Sequence, residues 1–87
     1  MMNSPDKRYT LLIVDDEPLN IDVLFGVLQN DYEIKAATSG QRALDVLAEG
    51  VTPDLILLDV MMPQMDGYEL CRRLKESPQF RNIPVIL

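Results

Sequence analysis

The chain has 87 residues, enough for one small domain, and its 47% apolar content suits a folded chain rather than a disordered one. Fourteen acidic against eight basic residues leave a formal charge of −6, which disfavours nonspecific binding to nucleic acid or to an anionic membrane by this segment. With no histidine and a single cysteine, Cys71, it excludes an intramolecular disulfide, cysteine or histidine zinc sites, Ser-His-Asp and Cys-His nucleophiles, and phosphohistidine chemistry of its own.

Residues 1–8 read as a flexible leader without the apolar core of a signal peptide, and residues 9–87 as one domain. No apolar run approaches the ~20 residues of a membrane span, so a cytoplasmic location is expected. Residues 10–14, Thr-Leu-Leu-Ile-Val, are continuously apolar at their end and predict a strand buried on both faces. Pro18 suits the first turn of a helix, with Asp16 or Glu17 near its positive end. That helix runs to about Asn30 with Ile21, Leu24, Phe25 and Leu28 on one stripe, widened by Val23 and Val27. Tyr32 to Ala37 predicts a short strand. Thr38-Ser39-Gly40 opens a second helix to about Glu49, with Ala43, Leu44, Leu47 and Ala48 inward and Gly50 ending it. Residues 54–59 predict a third buried strand. Asp66 caps a third helix whose inner face is Leu70, Cys71 and Leu74, and Ser77-Pro78 stops it. Ile83 to Leu87 starts a fourth strand. The order βαβαβαβ implies an α/β fold: a parallel sheet with right-handed crossovers and helices on both faces. The sequence stops inside an apolar strand with no polar residue after it, which reads as a domain truncated at strand four.

Two apolar strands therefore end in acids: Val14 is followed by Asp15-Asp16-Glu17, and Leu58 by Asp59. Open α/β sheets place their ligand sites at the C-terminal edges of such strands. Carboxylates gathered there repel one another and are best explained by a hard divalent cation. Asp59 is a candidate nucleophile, since a carboxylate can attack a phosphoryl group to form an aspartyl phosphate. Both reactants are anionic, so the reaction calls for a cation such as Mg2+. Asp16 and Asp59 are the candidate direct ligands, the Met61 backbone carbonyl a third, and Asp15 an outer carboxylate acting through water. Pro63 and Gly67 would shape the turn after Asp59. Asp54 reads as a turn residue after Pro53. The side chains of Met61, Met62 and Met65 read as gap fillers, Cys71 as a small core residue, and Tyr68 and Glu69 as solvated helix positions.

Leu12-Ile13-Val14-Asp15-Asp16-Glu17, Asp54-Leu55-Ile56-Leu57-Leu58-Asp59-Val60-Met61-Met62-Pro63, Met65-Asp66-Gly67 and Ile83-Pro84-Val85-Ile86 together resemble the receiver domain of two-component response regulators. The resemblance runs from Tyr9 to Leu87. It implies a flavodoxin-like sheet of strand order 2-1-3-4-5, here lacking the region after strand four. It implies a phosphoacceptor signalling domain rather than an enzyme, with Asp59 phosphorylated by a sensor histidine kinase or phosphotransfer protein, or from small phosphodonors. Mg2+ would be held by Asp16, Asp59 and the Met61 carbonyl, with Asp15 assisting through water. Receivers also carry a Ser or Thr just past strand four and a Lys at the end of strand five, and neither position falls within these residues. Two expectations follow. Phosphorylation of this segment would be less efficient, and strand four or the Leu24, Phe25 and Leu28 face would favour self-association or element swapping. The alternative is a structural or interaction module that keeps the fold and metal site without the phosphoacceptor activity. A phosphatase of the haloacid dehalogenase type would place an acid where Met61 stands. A dinucleotide-binding domain would place Gly-x-Gly-x-x-Gly after Val14, where Asp15-Asp16 would repel the pyrophosphate instead.

Overall fold

Among the described residues four parallel strands form one sheet, with three helices in the connections. The structure, a computed structural model, describes residues 8–87. Its elements are β1 (Tyr9–Val14), α1 (Pro18–Leu28), β2 (Tyr32–Ala37), α2 (Gly40–Ala48), β3 (Leu55–Leu58), α3 (Gly67–Glu76) and β4 (Val85–Ile86). The strands lie in the order β2-β1-β3-β4, so the expected α/β class and the first four positions of the 2-1-3-4-5 order are present. Most of the expected leader lies outside the described residues. Arg8, counted with it, donates to the Gln29 carbonyl at 2.9 Å and to Glu33 at 3.4 Å, which ties the start of β1 to the end of α1 and to β2.

Each helix begins on an acceptor side chain that satisfies a backbone N–H left without a helical partner. Glu17 accepts from the Leu19 amide at 3.4 Å, Ser39 from Arg42 at 3.0 Å, and Asp66 from Glu69 at 2.8 Å. Pro18 occupies the first turn of α1, where its missing N–H costs nothing. Gly50 ends α2 in the left-handed region, φ 107°. Its amide donates to the Leu47 carbonyl at 3.1 Å and that of Val51 to the Val46 carbonyl at 3.4 Å. That pair of bonds closes the helix end, and glycine reaches the required φ without a Cβ clash.

One face of the sheet is densely packed. Leu12, Val14, Ile56 and Leu58 meet Ala43, Val46 and Leu47 of α2 and Leu70 and Leu74 of α3, with Met62 closing the edge. Val46, not Ala48, completes the inner stripe of α2, and Ala48 is exposed. Residues 43, 46 and 47 still follow helical spacing; the stripe is rotated toward Val46. Cys71 packs half-buried against this core, as expected.

The other face is thinner. Leu11 and Ile13 are buried there, but α1 has no buried residue and Phe25 is 44% exposed. Leu24 shares a cavity of about 290 Å³ with Ile13, Leu57 and Ile86. The two apolar strands therefore differ. β1 is buried on both faces from Leu11 to Val14, whereas β3 alternates, with Ile56 and Leu58 buried and Leu55 and Leu57 half-buried. A continuous apolar run implied burial on both sides of β3; the single helix on that face does not deliver it. β4 pairs with β3 through Ile56↔Val85 and Leu57↔Ile86 only. The Lys75 ammonium steadies the connection into β4, donating to the carbonyls of Arg81 at 3.2 Å and Ile83 at 3.1 Å.

Two side-chain choices lock the strands at either end of β3. Asp54 is more than a turn residue. Its carboxylate accepts from the Thr10 amide at 2.8 Å while its own amide donates to the Thr10 carbonyl at 2.7 Å. This pair closes the β1–β3 ladder at its N-terminal end. At the other end Gly67 starts α3 directly against the strand. A Cβ there would stand 2.5 Å from the Asp59 carbonyl oxygen and 2.8 Å from the Val60 Cα, both backbone atoms that cannot swing away. The Gly67 amide donates to the Val60 carbonyl at 3.0 Å, so the close approach is itself hydrogen-bonded.

Glu69 does more than face solvent: it accepts from Arg72 at 2.7 Å and from Arg73 at 2.9 Å. Hydrogen bonding from Arg73, then Arg72, holds its carboxyl below the usual glutamate value.

Three outcomes are expected. Asp54→Ala lowers stability by about 1 kcal/mol in urea unfolding, the worth of a charge-assisted bond at an exposed site. Gly67→Ala lowers it by about 1–3 kcal/mol, the usual cost of overpacking, and shifts the amide resonances of Asp59 and Val60 in an NMR spectrum. Because the folded Glu69 carboxyl titrates low, its support is present above the ordinary glutamate value and fades as pH falls through the folded value. A carbon-detected NMR titration finds Glu69 below its ordinary value, and Arg73→Ala moves it back up.

Candidate metal centre

The geometry of the site begins in strand register. β1 pairs with β2 as far as Val14↔Ala37 and with β3 as far as Val14↔Leu58, so all three strands end in one layer. The backbone continues the alignment by one residue. The Asp59 amide donates to the Val14 carbonyl at 2.9 Å and the Asp15 amide to the Ala37 carbonyl at 3.1 Å. Asp15 and Asp59 therefore leave the sheet side by side, and Asp16 follows at the mouth. One ligand oxygen from each of Asp15, Asp16 and Asp59 lies within 4.8 Å of those of the other two. Asp16 is exposed, and Asp15 and Asp59 are half-buried.

The three carboxylates are held differently. Asp15 accepts from the Glu17 amide at 2.9 Å on Oδ1 and from the Asn20 side-chain amide at 3.3 Å on Oδ2. Asp59 accepts from the Met61 amide at 3.1 Å on Oδ1. Asp16 accepts no hydrogen bond from a described residue, and one of its oxygens lies in the cluster with those of Asp15 and Asp59. All three donors are hard oxygens, with no nitrogen or sulfur among them. Such a set fits a hard divalent cation of the Mg2+ or Ca2+ kind, and the like charges would otherwise repel.

The turn after β3 closes on Gly67 as the sequence suggests, but its methionines divide. Met62 is buried against the core and Met65 is half-buried, whereas the Met61 side chain is 80% exposed and fills no gap. Apolar character alone pointed all three inward. Burying Met62 in the edge of the core turns its neighbour Met61 out. Gln64 takes a left-handed conformation, φ 66°, which lets the chain reverse toward the Asp66 cap. Asn20 has a role at the site that sequence reading missed. The signal was positional: side chains near a helix start lean back toward its N-terminus, so the third residue after Glu17 overhangs the acids before the helix.

The model of the response regulator receiver domain matches residues 11–87. A probable cyclic di-GMP phosphodiesterase of Vibrio cholerae is 49% identical over 77 residues, covering 88% of this chain and 17% of that protein. Response regulator PleD of Caulobacter vibrioides is 47% identical over 78 residues, again covering 88% of this chain and 17% of that protein. The crystal structure of the N-terminal domain of a response regulator receiver protein from Methanoculleus marisnigri superposes with a TM-score of 0.85 at 44% identity, covering 91% of this chain and 64% of that one. The chain thus spans only about a sixth of the length of the two curated relatives. No described helix is long and apolar enough to cross a membrane. Sheet order, the acid-ended strands and a family match over nearly the whole described length agree, and the chain belongs to the response regulator receiver domain family of two-component systems.

Proposed function

We propose that Asp59 is the phosphoacceptor of a two-component signalling step and that phosphorylation depends on Mg2+. The observation that carries this reading is the convergence of Asp15, Asp16 and Asp59 at the C-terminal edge of β1 and β3. An oxygen of the Asp59 carboxylate attacks phosphorus. The bond from phosphorus to the leaving group breaks, its electron pair staying on the imidazole nitrogen of a phosphohistidine or on the acetate of acetyl phosphate. The product is an acyl phosphate on Asp59. The Met61 N–H holds Oδ1 of Asp59 during approach and leaves Oδ2 without a donor among the described residues. When bound, Mg2+ neutralises the charge that gathers between the carboxylates and the transferring phosphoryl oxygens. Asp16 and Asp59 would be its carboxylate ligands, the Met61 carbonyl a third ligand, and Asp15 would act through water.

Receiver domains take their phosphoryl group from histidine kinases or phosphotransfer proteins, and such a protein is the proposed partner here. The chain would act as a phosphoacceptor rather than as an enzyme with a released product. The alternative, an interaction module that keeps the fold and the metal site, shares the three acids and differs in forming no adduct on Asp59.

The test is intact-mass analysis after incubation with acetyl phosphate and Mg2+. The chain gains one phosphoryl group, Asp59→Asn gains none, and chelation with EDTA abolishes the adduct. Asp16→Asn lowers Mg2+ affinity by roughly tenfold or more. A folded chain that binds Mg2+ yet never gains the adduct would sink the phosphoacceptor assignment for this segment and leave the interaction module.

A further inference from the structure

Asn20 stands on the first turn of α1, exposed, and its side-chain amide donates to Oδ2 of Asp15 at 3.3 Å. The Glu17 backbone amide holds the other oxygen of the same carboxylate at 2.9 Å. Asp15 is the one member of the acidic cluster whose two oxygens are both engaged by described protein donors. Asp16 has none, and Asp59 has one. The two bonds to Asp15 differ in kind. The Glu17 bond comes from the main chain and persists whatever side chains are present. The Asn20 bond comes from a single exposed amide and can be removed without touching the core.

We infer that Asn20 is a positioning residue that keeps Asp15 out of direct metal contact and so makes the site prefer Mg2+ to Ca2+. This inference rests on the metal-site reading above. A carboxylate bonded at both oxygens can still accept from a metal-bound water, because each oxygen offers a second lone pair. Direct coordination through Oδ2 would compete with the Asn20 bond, because the ion and the amide N–H would draw on the same oxygen. Mg2+ is small, demands octahedral geometry and keeps several waters, so it loses little when Asp15 stays in the outer layer. Ca2+ takes 6–8 oxygens and accepts carboxylates in either one- or two-oxygen contact, so it gains from a third direct carboxylate. Releasing Oδ2 of Asp15 therefore favours the larger ion. Outer partners of this sort typically alter metal affinity by roughly 10- to 100-fold.

The test compares the wild-type chain with Asn20→Leu, which keeps the branched shape and removes the donor, and with Asn20→Ala. Calorimetric titrations with MgCl2 and with CaCl2 give the two affinities for each protein, and thermal melts without metal confirm that each is folded. The expected result is a rise of roughly tenfold in the ratio of Ca2+ to Mg2+ affinity in both variants, with the metal-free melts close to wild type. A general loss of order in α1 would weaken both ions together and leave the ratio in place. An unmoved ratio in variants that fold and bind overturns the role of Asn20 while leaving the metal site standing. Failure of the wild-type chain to bind either ion overturns the metal-site reading and this inference with it.

Discussion

The register between β1 and β3 is the constraint on which everything else depends. Val14 pairs with Leu58, and the Asp59 amide extends that ladder to the Val14 carbonyl. In a pleated strand a slip by one residue exchanges the two faces. Such a slip would turn Ile56 and Leu58 away from α2 and α3 and carry Asp59 out of line with Asp15. Packing and site geometry are thus specified by one alignment. The apolar core holds the register, and the register brings the acids together. Asp54 clamps the same pair of strands at the opposite end, through bonds to both backbone groups of Thr10.

The turn that follows β3 shows how close packing and chemistry share residues. Gly67 lets α3 start in van der Waals contact with the backbone of Asp59 and Val60. Asp66 caps that helix and Met62 anchors the turn in the core. The Asp59 carboxylate is therefore presented from a backbone fixed on both sides, by the β1 ladder and by the helix start. Fixed acids are poor for stability, because like charges repel. They would be useful in the proposed function, where the site meets a cation and a phosphoryl group without rearranging.

The two faces of the sheet are unequal. The face under α2 and α3 has a continuous core, whereas the face under α1 leaves Phe25 and other apolar residues of that helix in contact with solvent. The chain covers 64% of a solved receiver domain and 17% of two curated relatives, and one of those is described as a probable cyclic di-GMP phosphodiesterase. That activity belongs to the relative as a whole. In this chain residues 11–87 match the receiver domain model.

Much of this was legible in the residues alone. β2, the Asp66 cap, the Gly50 stop and the inner face of α3 follow from local rules of periodicity, capping and backbone freedom, which act over a few neighbouring residues. The acids after Val14 and Leu58 were equally legible, because a buried apolar run that stops at a carboxylate has few uses. Other features depended on what comes from elsewhere in the chain to lie against a residue. Val46 replaced Ala48 on the inner stripe, Leu55 and Leu57 stayed half-buried, and Met61 turned outward while Met62 turned in, since burial is set by the facing element and not by hydrophobicity. The bonds of Asp54 to Thr10 and of Asn20 to Asp15 belong to the same class. The sequence by itself determined the elements, their order and the candidate acids. The tertiary structure alone decided which acids are pinned by protein donors and which stand free, because a hydrogen bond needs two groups within about 3 Å and only folding brings them there.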